Sequence, residues 1–206
     1  MEIESGLLLL YYSLSVLITL SVVSLFVTLL IDFSMYGNKT DVKKSKRSIV
    51  ATGSIVAFYG IYFTVLQFGW GSVHFINQLG VVYYLNIFII LLSTTMIVTG
   101  AIINILGRWQ LKGNWADQIR IYKEHTLVTS GVYNAVRHPL YTSIILMLLG
   151  GCLAYKNSLC AALTVFIFIP FIYYRAKQEE NMLREEFAEY EEYTKNTGMF
   201  IPKLWR

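Results

Sequence analysis

Charged residues are scarce in this chain: only 15% of its 206 residues are Asp, Glu, Lys or Arg, whereas 55% are hydrophobic. The mean hydropathy is +0.52, which is too apolar for an ordinary soluble domain, and the same apolar content excludes a disordered chain. Three long runs in the first half contain no charged residue at all. The composition therefore predicts an integral membrane protein.

Metal, redox and nucleotide-binding motifs are also missing. Cys152 and Cys160 stand in apolar segments without a CxxC or metal-ligand spacing, so both are interpreted as packing residues and no metal centre is expected. No GxGxxG motif follows a strand-like run, which disfavours a Rossmann methyltransferase or dehydrogenase. Nothing in the pattern indicates nucleic-acid binding.

Five apolar runs predict an all-α integral membrane protein with five transmembrane helices, since a hydrocarbon core needs about 20 helical residues. The last two runs are separated only by Lys156 and Asn157 and predict a C-terminal helical hairpin, followed by a cytoplasmic amphipathic helix. We expect residues 1–106 to hold three helices and residues 107–206 to hold the functional region. The runs are 6–31, 49–69, 81–106, 140–155 and 158–174.

The basic residues predict the orientation, because short cytoplasmic loops are enriched in Lys and Arg. Every Lys and Arg except Lys156 lies in the first loop, in the linker before the hairpin or in the tail. Five spans place these three segments on one side of the membrane. The N-terminus is therefore expected outside and the C-terminus in the cytoplasm.

The polar linker ends in Arg137-His138-Pro139-Leu140-Tyr141, which carries chemistry-bearing side chains into the fourth span. Pro139 is suited to the first helical position, and a helix start beside Arg137 favours a nearby anion. His138 and Tyr141 are three residues apart and share one helix face. The alternative is an interfacial role for each residue, with the arginine snorkelling and the histidine capping the helix.

The segment after the fifth span predicts the amphipathic helix. Arg175 and Glu179 share a face, while Leu183, Phe187 and Tyr190 continue as one apolar stripe. Glu179 and Glu180 lie close to the membrane, where a carboxylate needs a cation or a ligand as partner. The alternative is that this partner belongs to the protein itself, and Arg175 or Arg184 is then the expected cation.

Several motifs together resemble the isoprenylcysteine carboxyl methyltransferase family of integral membrane methyltransferases, which has phospholipid-methylating relatives. They cover about the C-terminal half of the chain, and the first two spans carry no such signature. The motifs are Asn114-Trp115, His125-x-Leu127-Val128-x-x-Gly131-x-Tyr133, Arg137-His138-Pro139-x-Tyr141, Arg175-x-x-x-Glu179-Glu180-x-x-Leu183 and Phe200-Ile201-Pro202.

The resemblance implies methyl transfer from S-adenosylmethionine, bound on the cytoplasmic side, to a lipid-like acceptor that enters from the membrane. Arg137, Arg175 and Glu180 are the expected catalytic residues. A carboxylate acceptor is already ionised and would only be oriented by an arginine, whereas an amine or thiol needs a base, for which Glu180, Tyr141 or His138 is a candidate. The implied cofactor-binding residues are His125, Leu127, Val128, Tyr133, His138, Tyr141, Glu179 and Glu180.

Two other functions fit part of the pattern. Membrane sterol-type reductases resemble the same C-terminal half and would use NADPH, but their motif carries Asn where Leu140 stands here. A scaffold or small transporter is the second alternative. The first three spans contain no charged residue, which counts against an ion-coupled pathway.

Overall fold

The computed structural model describes residues 41–44, 48–73, 80–111, 120–122 and 126–203, together with seven scattered residues of the first apolar run. Those seven are helical and exposed. The rest of the predicted span 6–31 lies outside the described residues. So do Asn114, Trp115 and His125.

Helices dominate the described part of the chain. The strands β1 (Asp41–Lys44) and β2 (Arg120–Tyr122) pair antiparallel, a small sheet that the all-α expectation did not include. The helices are α1 (Ser48–Phe68), α2 (Gly80–Leu111), α3 (Val132–Ala135), α4 (Pro139–Ala154), α5 (Ser158–Leu163), α6 (Ile169–Glu186) and α7 (Tyr190–Asn196), with a π-helical segment (Thr164–Phe168) that makes Ser158–Glu186 one helical run.

Two of the described helical segments are long and apolar enough to cross a membrane. Tyr84–Leu111 has a mean hydropathy of 2.2 and Ser158–Glu186 one of 1.8, and only 33% of each apolar window is buried. Large apolar side chains therefore face outward, among them Phe88 at 61% and Phe166 at 77% exposure. A surface of this kind is unfavourable in water and is typical of contact with a lipid phase or with another protein. Together with the sequence, it indicates a membrane protein.

Helices α2 and α4 pack closely because glycines face the partner helix. A Cβ atom on Gly100 would lie 2.8 Å from the Ser143 carbonyl oxygen, and one on Gly150 would lie 3.0 Å from the Ser93 carbonyl oxygen. The Asn104 amide donates to the Ser143 hydroxyl at 2.7 Å, which satisfies two buried polar side chains at this contact. The packing holds α4, and therefore its first residues, against α2.

The predicted apolar stripe on one continuous C-terminal helix is wrong. Helix α6 ends at Glu186, Phe187 is extended with φ −121°, and Tyr190 begins the separate helix α7. The Tyr190 amide donates to the Phe187 carbonyl at 3.1 Å and closes the turn. The break buries Tyr190, whose exposure is 1%, instead of leaving it on a helix surface.

The chain after α7 returns to the start of α4. The backbone amide of Arg137 donates to the Gly198 carbonyl at 2.8 Å, and that of His138 donates to the Met199 carbonyl at 3.1 Å. These bonds hold the residues before Pro139 between the C-terminal segment and α6. The candidate site lies at this junction.

Candidate functional site

The start of α4 matches the sequence prediction in its backbone but not in its cap. Pro139 occupies the first turn and His138 the N-cap position, yet the histidine side chain makes no capping hydrogen bond. Its ring instead lies among the carboxylates of α6. The imidazole therefore interacts with these carboxylates and not with the backbone of α4.

A buried ion pair joins Arg137 to Glu180. The guanidinium Nε and Nη2 atoms lie 2.9 and 2.8 Å from Glu180 Oε1, and Nη1 donates to the Thr197 carbonyl. The other carboxylate oxygen lies 3.4 Å from Arg184 and 3.7 Å from Lys177. With a side-chain exposure of 0%, Glu180 is enclosed by cations. In this arrangement it positions Arg137.

A second group surrounds Glu179. The Tyr141 hydroxyl donates to Glu179, and Arg175 Nε donates to the same hydroxyl at 2.8 Å. The His138 ring stacks on Tyr141 with 5.6 Å between centroids, and its Nδ1 lies 3.5 Å from Glu179 Oε2. Glu179 keeps a side-chain exposure of 25%. It is therefore the more accessible of the two carboxylates.

The pKa of His138 is raised above its ordinary value of 6.5. Burial lowers this pKa, but the carboxylates of Glu179 and Glu180 outweigh burial and favour the imidazolium. Because the folded pKa lies above the unfolded one, the stability that this proton contributes is complete below about pH 6.5. It is lost as the pH rises through the folded pKa.

The raised pKa of His138 predicts how the stability of the His138→Gln variant depends on pH. Glutamine keeps hydrogen-bonding groups but does not titrate, so the wild type should be more stable than the variant at low pH, and the difference in Tm should narrow as the pH rises above about 6.5. Thermal unfolding of both proteins in detergent measures it. A difference that stays constant as the pH rises would mean that folding does not raise the pKa of His138.

A pocket adjoins the ion pair, and Arg137 belongs to both. Its wall contains four of the residues singled out from the sequence, namely Leu127, Val128, Tyr133 and Arg137. Sequence reasoning missed Tyr190 and Tyr193 as pocket residues, although their spacing of three already places them on one helix face. The remaining lining residues are Leu111, Thr126 and Leu183.

The three pocket tyrosines differ in their hydrogen bonding. Burial raises the pKa of Tyr133, Tyr190 and Tyr193, so each hydroxyl stays protonated near neutral pH. The Tyr193 hydroxyl donates to the Tyr133 carbonyl at 2.5 Å. The Tyr190 hydroxyl is buried and makes no hydrogen bond within the described structure.

The predicted site residues thus fall into two adjoining groups within the described part of the chain. The pocket group is Leu127, Val128, Tyr133 and Arg137, and the carboxylate group is His138, Tyr141, Arg175, Glu179 and Glu180. The Arg137–Glu180 contact connects them. His125 lies outside the described residues, so its placement stays a prediction.

Comparison with known proteins points to one family of methyltransferases. The model of the isoprenylcysteine carboxyl methyltransferase (ICMT) family matches residues 88–185. A probable protein-S-isoprenylcysteine O-methyltransferase of Oryza sativa subsp. indica is 30% identical over 118 residues, which cover 56% of this chain and 62% of the relative. The protein-S-isoprenylcysteine O-methyltransferase of Saccharomyces cerevisiae is 38% identical over 80 residues, or 38% of this chain and 34% of the relative.

A relative with a different name also matches. The cobalt-zinc-cadmium resistance protein CzcN of Cupriavidus metallidurans is 36% identical over 85 residues, which cover 40% of this chain and 38% of that protein. Among the side chains that the structure describes, no group of three or more His, Cys, Asp or Glu residues is arranged to hold a metal ion.

The apolar helices indicate a membrane protein, and the matched segment is similar to a family of methyltransferases. Residues 88–185 are similar to the isoprenylcysteine carboxyl methyltransferase family. It spans 62% of the length of the rice relative. The comparisons do not favour the reductase or the scaffold considered from the sequence.

Proposed function

We propose that this chain transfers a methyl group from S-adenosylmethionine to a lipophilic acceptor at the cytoplasmic face of a membrane. The observation that carries the proposal is the double role of Arg137, which lines the pocket and is held by the buried carboxylate of Glu180. Both residues lie inside the segment that matches the family. A fixed cation in a pocket wall can orient an anionic group of a ligand.

The residues around the pocket fit the chemistry of this methyl donor. Leu127, Val128 and Tyr133 offer the apolar and aromatic contact that an adenine ring requires, and Arg137 offers a cation for a carboxylate. For the ammonium group, Glu179 is better placed than Glu180, because it is partly exposed whereas Glu180 is fully enclosed. When bound, S-adenosylmethionine supplies an electrophilic methyl group on a sulfonium.

The protein's own contribution to the reaction is alignment and exclusion of water. Arg137 is fixed by Glu180 and by the Thr197 carbonyl, so its guanidinium loses little freedom when a ligand binds. Arg175 is 5% exposed and is held by Tyr141 and Glu179 at the end of the apolar helices. It is suited to orient an anionic acceptor head group that arrives from the lipid phase.

For the acceptor we propose the carboxylate of an isoprenylcysteine. Relatives from rice and yeast are named for action on protein-S-isoprenylcysteine. A carboxylate is ionised at neutral pH, so this acceptor needs orientation by an arginine but no general base. An acceptor of this class also has an apolar tail that suits the exposed apolar helices.

The proposed topology has five spans, with the N-terminus outside and the site in the cytoplasm. Residues 107–206 would form the catalytic region and residues 1–106 three N-terminal spans. The support is the distribution of basic residues, since the site lies among the basic segments, whereas Lys156 lies at the opposite end of α4. Cytosolic supply of the methyl donor agrees with this side.

Binding of the methyl donor can be tested with a pocket-filling variant. Val128→Trp places a large ring in the pocket wall and should abolish saturable binding of labelled S-adenosylmethionine to the purified protein in detergent. Thr129→Trp is the matched control, because the neighbouring Thr129 is exposed and does not line the pocket. Its affinity should equal that of the wild type.

Competition defines the ligand class in the same assay. S-adenosylhomocysteine should compete with the label, whereas NADPH should not. Folded wild-type protein that binds no S-adenosylmethionine would overturn the proposed function. Equal binding by the Val128→Trp variant would overturn the location of the site. With binding established, transfer of label to a farnesylcysteine analogue tests the acceptor.

A further inference from the structure

Tyr190 is held firmly by its ring but not by its hydroxyl. The Arg184 guanidinium lies 5.8 Å from the ring centroid, and the Tyr193 ring packs against it edge-on, also at 5.8 Å. The side chain is 1% exposed and lines the same pocket as Arg137. Its hydroxyl is buried and has no hydrogen-bond partner among the residues that the structure describes. The ring contacts explain why an aromatic side chain stands here, but they do not explain the hydroxyl.

An unmatched buried hydroxyl is costly for a folded protein. The hydroxyl gives up its hydrogen bonds to water on folding, and this destabilises the folded state when no protein group replaces them. Phenylalanine would keep both ring contacts and avoid this cost. The hydroxyl of the neighbouring Tyr193 is hydrogen-bonded within the protein, because it donates to the Tyr133 carbonyl. A ligand in the pocket is a partner that would give the Tyr190 hydroxyl a comparable bond.

The electrostatic surroundings decide which kind of atom this partner is. Burial and the carboxylate of Glu180 raise the pKa of Tyr190, so the phenol stays protonated and acts as a donor. Arg137 and Arg184 also act on this hydroxyl. A donor close to cations suits an oxygen or nitrogen acceptor on the ligand better than another donor.

We propose that the Tyr190 hydroxyl donates a hydrogen bond to a polar acceptor atom of the methyl donor, which makes Tyr190 a cofactor-binding residue of the pocket. The assignment rests on the proposed function and adds a residue that lies beyond the matched segment 88–185. The acceptor belongs either to the nucleoside half or to the amino-acid half of the ligand.

Tyr190→Phe tests the proposal because it removes only the unmatched hydroxyl. The dissociation constant for S-adenosylmethionine should rise roughly 3- to 10-fold, the range for one neutral hydrogen bond. The ligand-free Tm should stay equal to that of the wild type or increase. Tyr193→Phe is the matched control for stability, since its hydroxyl has a protein partner and its loss should lower the ligand-free Tm.

The outcomes separate this assignment from the proposed function. Wild-type protein that binds no S-adenosylmethionine overturns the proposed function. Wild-type binding with unchanged affinity in Tyr190→Phe overturns the assignment alone, as does a lower ligand-free Tm of that variant. Competition by adenosine and by methionine then locates the acceptor, because only the half that contacts the hydroxyl should lose affinity in Tyr190→Phe.

Discussion

Glu180→Gln is expected to destabilise the protein by about 3–5 kcal/mol, because it leaves the charge of Arg137 buried without its counter-ion. The Glu180 carboxylate is completely enclosed and receives two contacts of 2.8 and 2.9 Å from that guanidinium. Arg184 and Lys177 would also lose their attraction to this carboxylate. Thermal or denaturant unfolding in detergent measures the loss, and we expect binding of S-adenosylmethionine to weaken in parallel.

A double variant distinguishes this ion pair from a general loss of polar contacts. Arg137→Met with Glu180→Gln removes both charges, so its loss should be smaller than the sum of the two single losses. Glu189→Gln is the matched control, because this carboxylate is exposed and its loss should cost no more than about 0.5 kcal/mol. Additive losses in the double variant would contradict the assigned coupling.

Gly100→Leu is expected to cost about 2–6 kcal/mol by forcing α2 and α4 apart. Its Cβ atom would lie 2.8 Å from the Ser143 carbonyl oxygen, a backbone atom that cannot move without displacing α4. Overpacking of this kind costs about 1–3 kcal/mol, and the buried Asn104–Ser143 hydrogen bond would break as well. Unfolding in detergent should show the full loss.

Gly60→Leu is the control for Gly100→Leu. Gly60 is exposed on the apolar helix α1, and a Cβ atom there would meet no other atom within 4 Å. This substitution should leave the protein at least as stable as the wild type, since leucine favours the helix more than glycine does. Equal losses in the two variants would contradict the close packing of α2 on α4.

Local pattern predicted the helices around the site well. The change from apolar to polar residues between positions 154 and 158 placed a helix boundary there, and the structure ends α4 at Ala154 and starts α5 at Ser158. Pro139 marked the start of α4 for a local reason, because its fixed φ suits the first turn. Span length and the orientation of the termini stay predictions.

The end of α6 was not predictable in the same way. Residues 187–189 are Phe, Ala and Glu, and none of them is a strong helix breaker. The predicted stripe therefore continued through Tyr190. The structure ends the helix because burial of Tyr190 beside the pocket and pairing of Val136 with Gly198 outweigh a weak local preference.

The sequence by itself indicated the membrane class and the helical runs that lie within the described residues, because composition and periodicity are properties of neighbours along the chain. Only the tertiary structure decided the roles of Glu179 and Glu180. Glu180 is enclosed by Arg137, whereas its neighbour stays partly exposed beside His138. Tyr190 likewise entered the pocket through a turn without a local signal. Such contacts join residues far apart in the chain, so spacing alone does not specify them.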